Sequence, residues 1–318
     1  TFYYMFHNWT DFFNTNQRQI PATMALRYSL INRYANNGRG RVVRKNQTLI
    51  ADTLGYDLTA CKHANGRDWW IIAPQTEVNR YWRVLFDTSG TQVLGEQTIG
   101  SSPTGRDEAT GNACFTPNGR KYLRFMAESG LFIFDFDRQT GLLSNFKRVP
   151  IDVYYDYCSV SVSANSRFAY ICSRFKVVQV DLEAADIAAS QVVVAEYDGF
   201  RAPFPTWFYM SQLAPDCRIY IATKNSANIM HYIKYPDRKG LACEVVQHGI
   251  TFPNSEYNFM TIPNHPNYRL GITPTYPCDS MIQLRVGTKE VQPIPNSITL
   301  YPNPARDYVE LHGIFPFE

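Results

Sequence analysis

Apolar and polar positions along this chain come in short alternating runs, and no long stretch places apolar residues at helical spacing. Runs such as Trp69–Ile72, Tyr122–Met126, Phe168–Cys172 and Ile219–Ala222 are each preceded by clusters of Asn, Asp, Gly, Ser or Pro. That pattern predicts β-strands entered through tight turns. The words themselves recur: CKHANGRDWWII from Cys61, CFTPNGRKYLRF from Cys114, SVSANSRFAYIC from Ser161, QLAPDCRIYIAT from Gln212 and PNHPNYRLGI from Pro263. Their arginines, Arg67, Arg120, Arg167, Arg218 and Arg269, are 53, 47, 51 and 51 residues apart. Each word reads as a hairpin, with turns expected at 64–67, 117–120, 164–167 and 215–218.

Each hairpin is followed by two further strand signals around a polar turn, as in RVLFDTSGTQVL, LFIFDFDRQTGLLS, VVQVDLEAADIAASQVVV and HYIKYPDRKGLACEVV. Four strands per repeat, with a period near fifty, describe the antiparallel blades of an all-β propeller. The segment 182–189 is the one candidate for a helical turn. At the N-terminus FYYMFHN fits a second strand, and ALRYSLINRYANNGRGRVV fits a third strand, turn and fourth strand. On this frame Asn258–Ile262 is expected to close the ring beside Phe2–Asn8, removing an exposed sheet edge. The count is five blades if the chain is complete and six or seven if sequence precedes it. Residues 287–296 (GTKEVQPIPN) read as a linker after a propeller over 1–286, and 297–318 as a short separate β segment.

Composition narrows the function. The chain has 318 residues, 45% hydrophobic and 19% charged, enough to bury a substantial core. Its net charge of +3 is too small to favour a nucleic-acid partner, and GRGRVVRK from Gly38 reads as a solvated hairpin. No window reaches the roughly 18 apolar residues of a membrane-spanning helix. Thr1 is not an initiator methionine, as expected of a processed chain or of one with sequence upstream. The seven cysteines show no Cys-x-x-Cys or Cys-x-x-His cluster, so no metal site is expected from them. A three-residue turn at 164–166 would set Cys158 opposite Cys172, either as a disulfide or as two buried thiols.

No catalytic, phosphate-binding or cofactor motif is present, so neither catalytic residues nor a cofactor is assigned. His63 and Asp68, beside the Asn65–Gly66 turn, are expected to tie blade edges. Propellers assemble sites from several blades, and the connections entering each innermost strand carry acids and aromatics. Asp57, Glu108, Asp156, Trp207 and Tyr257 are therefore the candidate ligand-binding rim of the channel mouth, where carboxylates and aromatic faces suit a polyol or a cation. Two functions fit: a non-catalytic binding or adhesion propeller, or a metal-dependent, lactonase-like hydrolase whose rim carboxylates converge on one ion.

The words HANGRDWW, FTPNGRKY, FDFDRQTGLLS, IPNHPNYRLG and YPCDS together resemble secreted bacterial β-propellers of the type IX secretion system. SITLYPNPARDYVEL, from Ser297, resembles the start of a type A C-terminal sorting domain, with Tyr301, Pro302, Asn303 and Pro304 as its turn. The resemblance implies export across the outer membrane by the type IX machinery, then secretion or anchoring at the cell surface. It implies no chemical activity; binding to an unknown surface protein or glycan is favoured because the rim acids fall at uneven offsets, 10 to 13 residues before the repeat arginines, and no histidine recurs with them.

Overall fold

The computed structural model describes residues 2–14, 19–104, 111–154, 158–253, 256–258, 260–271, 299–301 and 310–312. The chain divides into two units, Thr1–Cys278 and Asp279–Glu318. In the first, the described strands form five antiparallel sheets in chain order. Blade 1 has three strands, β1 (Phe2–Asn14), β2 (Gln19–Asn32) and β3 (Arg41–Ile50). Blade 2 comprises β4 (Thr59–Lys62), β5 (Trp69–Pro74), β6 (Arg80–Asp87) and β7 (Gly90–Thr98). Blade 3 comprises β8 (Asn112–Phe115), β9 (Lys121–Met126), β10 (Gly130–Asp137) and β11 (Leu142–Val149). Blade 4 comprises β12 (Cys158–Val162), β13 (Phe168–Ser173), β14 (Lys176–Asp181) and β15 (Val192–Glu196). Blade 5 comprises β16 (Phe208–Leu213), β17 (Ile219–Thr223), β18 (Ile229–Ile233) and β19 (Val245–Thr251). The architecture is the predicted β-propeller. The candidate helical turn is confined to a 3₁₀ turn at Ala188–Ser190.

Four apolar clusters fill the four interfaces between successive blades. Strand alternation sorts side chains between them. Trp70 and Ile72 of β5 face blade 3, whereas Ile71 and Ala73 face blade 1. Leu123 and Phe125 of β9 face blade 4, whereas Tyr122 and Met126 face blade 2. Because both faces of a central strand are covered, β13 is buried along its whole length, while the outer strand β11 is mostly exposed, with Leu143 and Val149 buried. This is why the inner strands read as continuous apolar runs and the outer ones do not.

The hairpin turns fall where expected and share one construction. A side-chain oxygen accepts the backbone N–H two residues on: Asn65 from Arg67, Asn118 from Arg120, Asn165 from Arg167, Asp216 from Arg218 and Asn267 from Arg269, at 3.0–3.2 Å. The residue between is left-handed in the four true hairpins, at φ 69° for Gly66, 70° for Gly119, 66° for Ser166 and 66° for Cys217.

Two expectations are corrected. The β12–β13 loop has four residues, with Ser163 N–H donating to Phe168 and Val162 opposite Ala169. The register therefore pairs Cys158 with Ser173 and Ser159 with Cys172. Cys158 and Cys172 point to opposite faces, into different clusters, and neither is in a disulfide. Ring closure also differs: Asn258 exchanges backbone hydrogen bonds with Ala227 of its own blade, at 2.9 and 3.3 Å, and does not pair with Phe2–Asn8. Asn258 Oδ1 then accepts the Thr261 N–H, which turns the chain, and Pro263 and Pro266 have no N–H for a ladder. In the second unit, β20 (Thr299–Tyr301) pairs antiparallel with β21 (Glu310–His312), with Leu300 opposite Leu311. Pro302, Asn303 and Pro304 lie outside the described residues.

Candidate channel site

The innermost strands β4, β8, β12 and β16 stand side by side around a cavity of about 260 Å³. Its remaining side is the segment 262–270, which carries the fifth copy of the turn; among the described residues no strand flanks it. Asn264 Nδ2 donates to the Leu58 carbonyl, Asn267 Nδ2 to that of Pro117, and Arg138 Nη2 to that of Gly271. Leu270 is buried in the interface between blades 2 and 3 and covers Gly119, where a Cβ would lie 2.7 Å from it. His63 and Trp70 serve this same seam. His63 Nε2 bonds the Gln139 carbonyl, and Trp70 Nε1 donates to that of Arg138. Asp68 takes hydrogen bonds from Arg67 and, more weakly, Asn65, which hold its carboxyl below the usual range. The opening motif is architecture.

The strands facing the cavity are locked to one another. Asn112 Oδ1 accepts the Val160 N–H at 2.7 Å, joining β8 to β12. Ser211 bridges Ser159 and Ser161 at 2.9 and 3.0 Å, joining β12 to β16. Cys61 and Cys114 line the wall, and burial pushes both thiols up to about 12, so they are protonated and act as small apolar groups. Among the described lining residues Asp57 is the only carboxylate. It is 4% exposed and receives Arg124 Nε at 2.5 Å, and Arg124 is wholly buried on β9.

The rim residues thus have different fates. Asp57 borders the cavity but is committed to Arg124. Trp207, just before β16, packs under the Arg174 guanidinium at 3.6 Å and edge-on to Phe175. Tyr257 is 42% exposed. Glu108 and Asp156 lie outside the described residues. Among the described residues, no three His, Cys, Asp or Glu side chains are grouped to hold a metal ion. The residue that the rim reading missed is Arg124, whose signal was a lone cation inside the apolar run YLRFM.

No family model and no curated protein matches the chain. Solved structures do resemble it. A proposed 6-phosphogluconolactonase from Bacteroides uniformis aligns with a TM-score of 0.49 at 13% identity, covering 75% of this chain and 70% of that one. A protein from Lactobacillus plantarum gives 0.47 at 12% identity, over 73% and 68%. A luciferin-regenerating enzyme gives 0.37 at 9% identity, over 67% and 68%. The assignment of this chain to the β-propellers rests on its own sheets: four-stranded antiparallel blades, packed face to face around one channel.

Proposed function

We propose that this is an exported binding propeller, carried to the cell surface by its C-terminal segment and acting there without chemistry. The observation that carries the reading is the cavity wall, which is built largely of apolar and neutral polar groups, with Arg269 at its edge and its one described carboxylate paired with Arg124. Such a wall suits a small ligand of low charge held by shape and a few hydrogen bonds. The address rests on the resemblance of SITLYPNPARDYVEL to a sorting signal, carried by a unit distinct from the propeller.

One experiment has two arms. In a bacterium with type IX machinery, deleting residues 288–318 should leave a folded propeller in the periplasm; normal export of the truncated chain would remove the surface assignment. The purified full chain should not hydrolyse δ-gluconolactone or 6-phosphogluconolactone with Ca²⁺, Mg²⁺, Mn²⁺ or Zn²⁺. Metal-dependent turnover lost in Glu108→Gln and Asp156→Asn would replace binding with the lactonase-like reading.

A further inference from the structure

At the end of blade 4 opposite the hairpin turns, a second cleft opens on the surface, bordered by Asp152, Tyr154, Ser173, Phe175, Lys176 and Glu196. Tyr154 is 55% exposed and Phe175 41% exposed, and their rings meet edge to face at 5.4 Å. Arg174 underlies this platform, its guanidinium 5.5 Å from the Tyr154 ring, 5.0 Å from Phe175 and 3.6 Å from Trp207. Exposed rings held this firmly keep little freedom to lose when a ligand seats on them.

The polar groups are arranged around the rings. Lys176 stands opposite Glu196 in the β14–β15 ladder and reaches Asp152 at 3.3 Å. That ion pair is loose: the Asp152 side chain is fully exposed, so a ligand hydroxyl can enter between its members. Ser173 borders the cleft and is itself wholly buried, and among the described residues its Oγ has no hydrogen-bond partner.

Charge narrows the ligand class. A cationic ligand would meet Lys176 in the cleft and Arg174 already on the aromatic faces, while an anionic one would meet Asp152 and Glu196. A neutral ring with C–H groups on its face and hydroxyls around its edge satisfies both halves. The C–H face lies on Tyr154 or Phe175, and the edge hydroxyls donate to the carboxylates and accept from Lys176. We propose that this cleft is a saccharide-binding site for neutral hexose units, independent of the channel cavity and of the route of export.

The test titrates the full chain by calorimetry with cellotetraose, maltotetraose, mannotetraose and chitotetraose, to roughly 10 mM so that weak affinities register. At least one should bind saturably. Tyr154→Ala and Phe175→Ala should each weaken that binding by roughly tenfold, and Tyr154→Trp should restore it. Asp152→Asn and Glu196→Gln should weaken it by roughly threefold each. Binding by none of the four sugars overturns the proposal. So does saturable binding that survives both aromatic truncations unchanged.

Discussion

The two ends of the blades are built on different principles. At the hairpin end one local device recurs: an Asn or Asp side chain accepts the N–H two residues on, and the residue between is left-handed in each of the four hairpins. At the other end no two described connections are alike. Asp57 is buried against Arg124, 67 positions away, Trp207 lies under Arg174, and Tyr154 stands exposed on Phe175. Structure set by near neighbours repeats with the sequence. Structure set by distant partners does not, and both candidate binding sites depend on it.

The largest effect should come from the distant-partner end. Asp57→Asn replaces the buried carboxylate that receives Arg124 Nε with a neutral amide, and breaking a buried pair from one side costs up to about 3–5 kcal/mol. Urea denaturation would measure it. The double variant Asp57→Leu with Arg124→Met, set beside the two single variants, isolates the coupling between the two side chains. A single variant as stable as wild type would show that the pair does not hold blade 2 to blade 3.

His231 gives a second, pH-dependent test at the same end. It is wholly buried on β18; Nε2 donates to the Thr206 carbonyl and Nδ1 accepts the His248 N–H, so the ring is neutral. Burial is the main cause that lowers its pKa to about 4, with His248 adding to it, against the Thr206 carbonyl and Asp198. Below pH 6.5 the unfolded chain takes up this proton before the folded one does. Stability is therefore full at neutral pH and falls as pH drops from 6.5 towards 4, by about 2 kcal/mol between pH 7 and pH 5. Urea midpoints across that range should show the loss, and His231→Asn should flatten it. A wild type with no slope there would mean that the folded ring accepts a proton as readily as the unfolded one.

The same contrast explains what the sequence disclosed. Strand identity and turn position were legible because Asn-Gly-Arg and its variants fix a hairpin within a few residues. Register was less so: with Ser166 in place of glycine, a three-residue and a four-residue loop read alike, and the longer one moved Cys158 away from Cys172. Asp57 read as a rim carboxylate because polar residues before an inner strand usually face solvent, and nothing near it names Arg124. The saccharide cleft had one signal, an aromatic in the tight turn Ser173-Arg174-Phe175-Lys176 of blade 4, where exposed rings are unusual. Its remaining members come from two other segments, 152–154 and 196–197.

The smallest effect should come from the residue that repeats most visibly. The arginines that define the period enter the turn through their backbone N–H, while their side chains do unrelated things: Arg67 pairs with Asp68, Arg167 with Asp181, and Arg218 lies 4.0 Å from Asp216. The energy should sit two positions earlier. Asn165→Ala removes the oxygen that accepts the Arg167 N–H and the Ser163 hydroxyl, at a cost of about 1–2 kcal/mol. Arg167→Ala keeps the N–H but strips a two-point partner from buried Asp181, so the clean comparison is Arg120→Ala, which keeps its N–H, loses an exposed side chain and should leave the thermal midpoint near wild type. If the order were reversed, with Arg120→Ala the less stable, the turn would be held by its arginine side chain. The repeat would then record charge pairing at the blade surface, and the local backbone device that separates the two ends would lose its energetic basis.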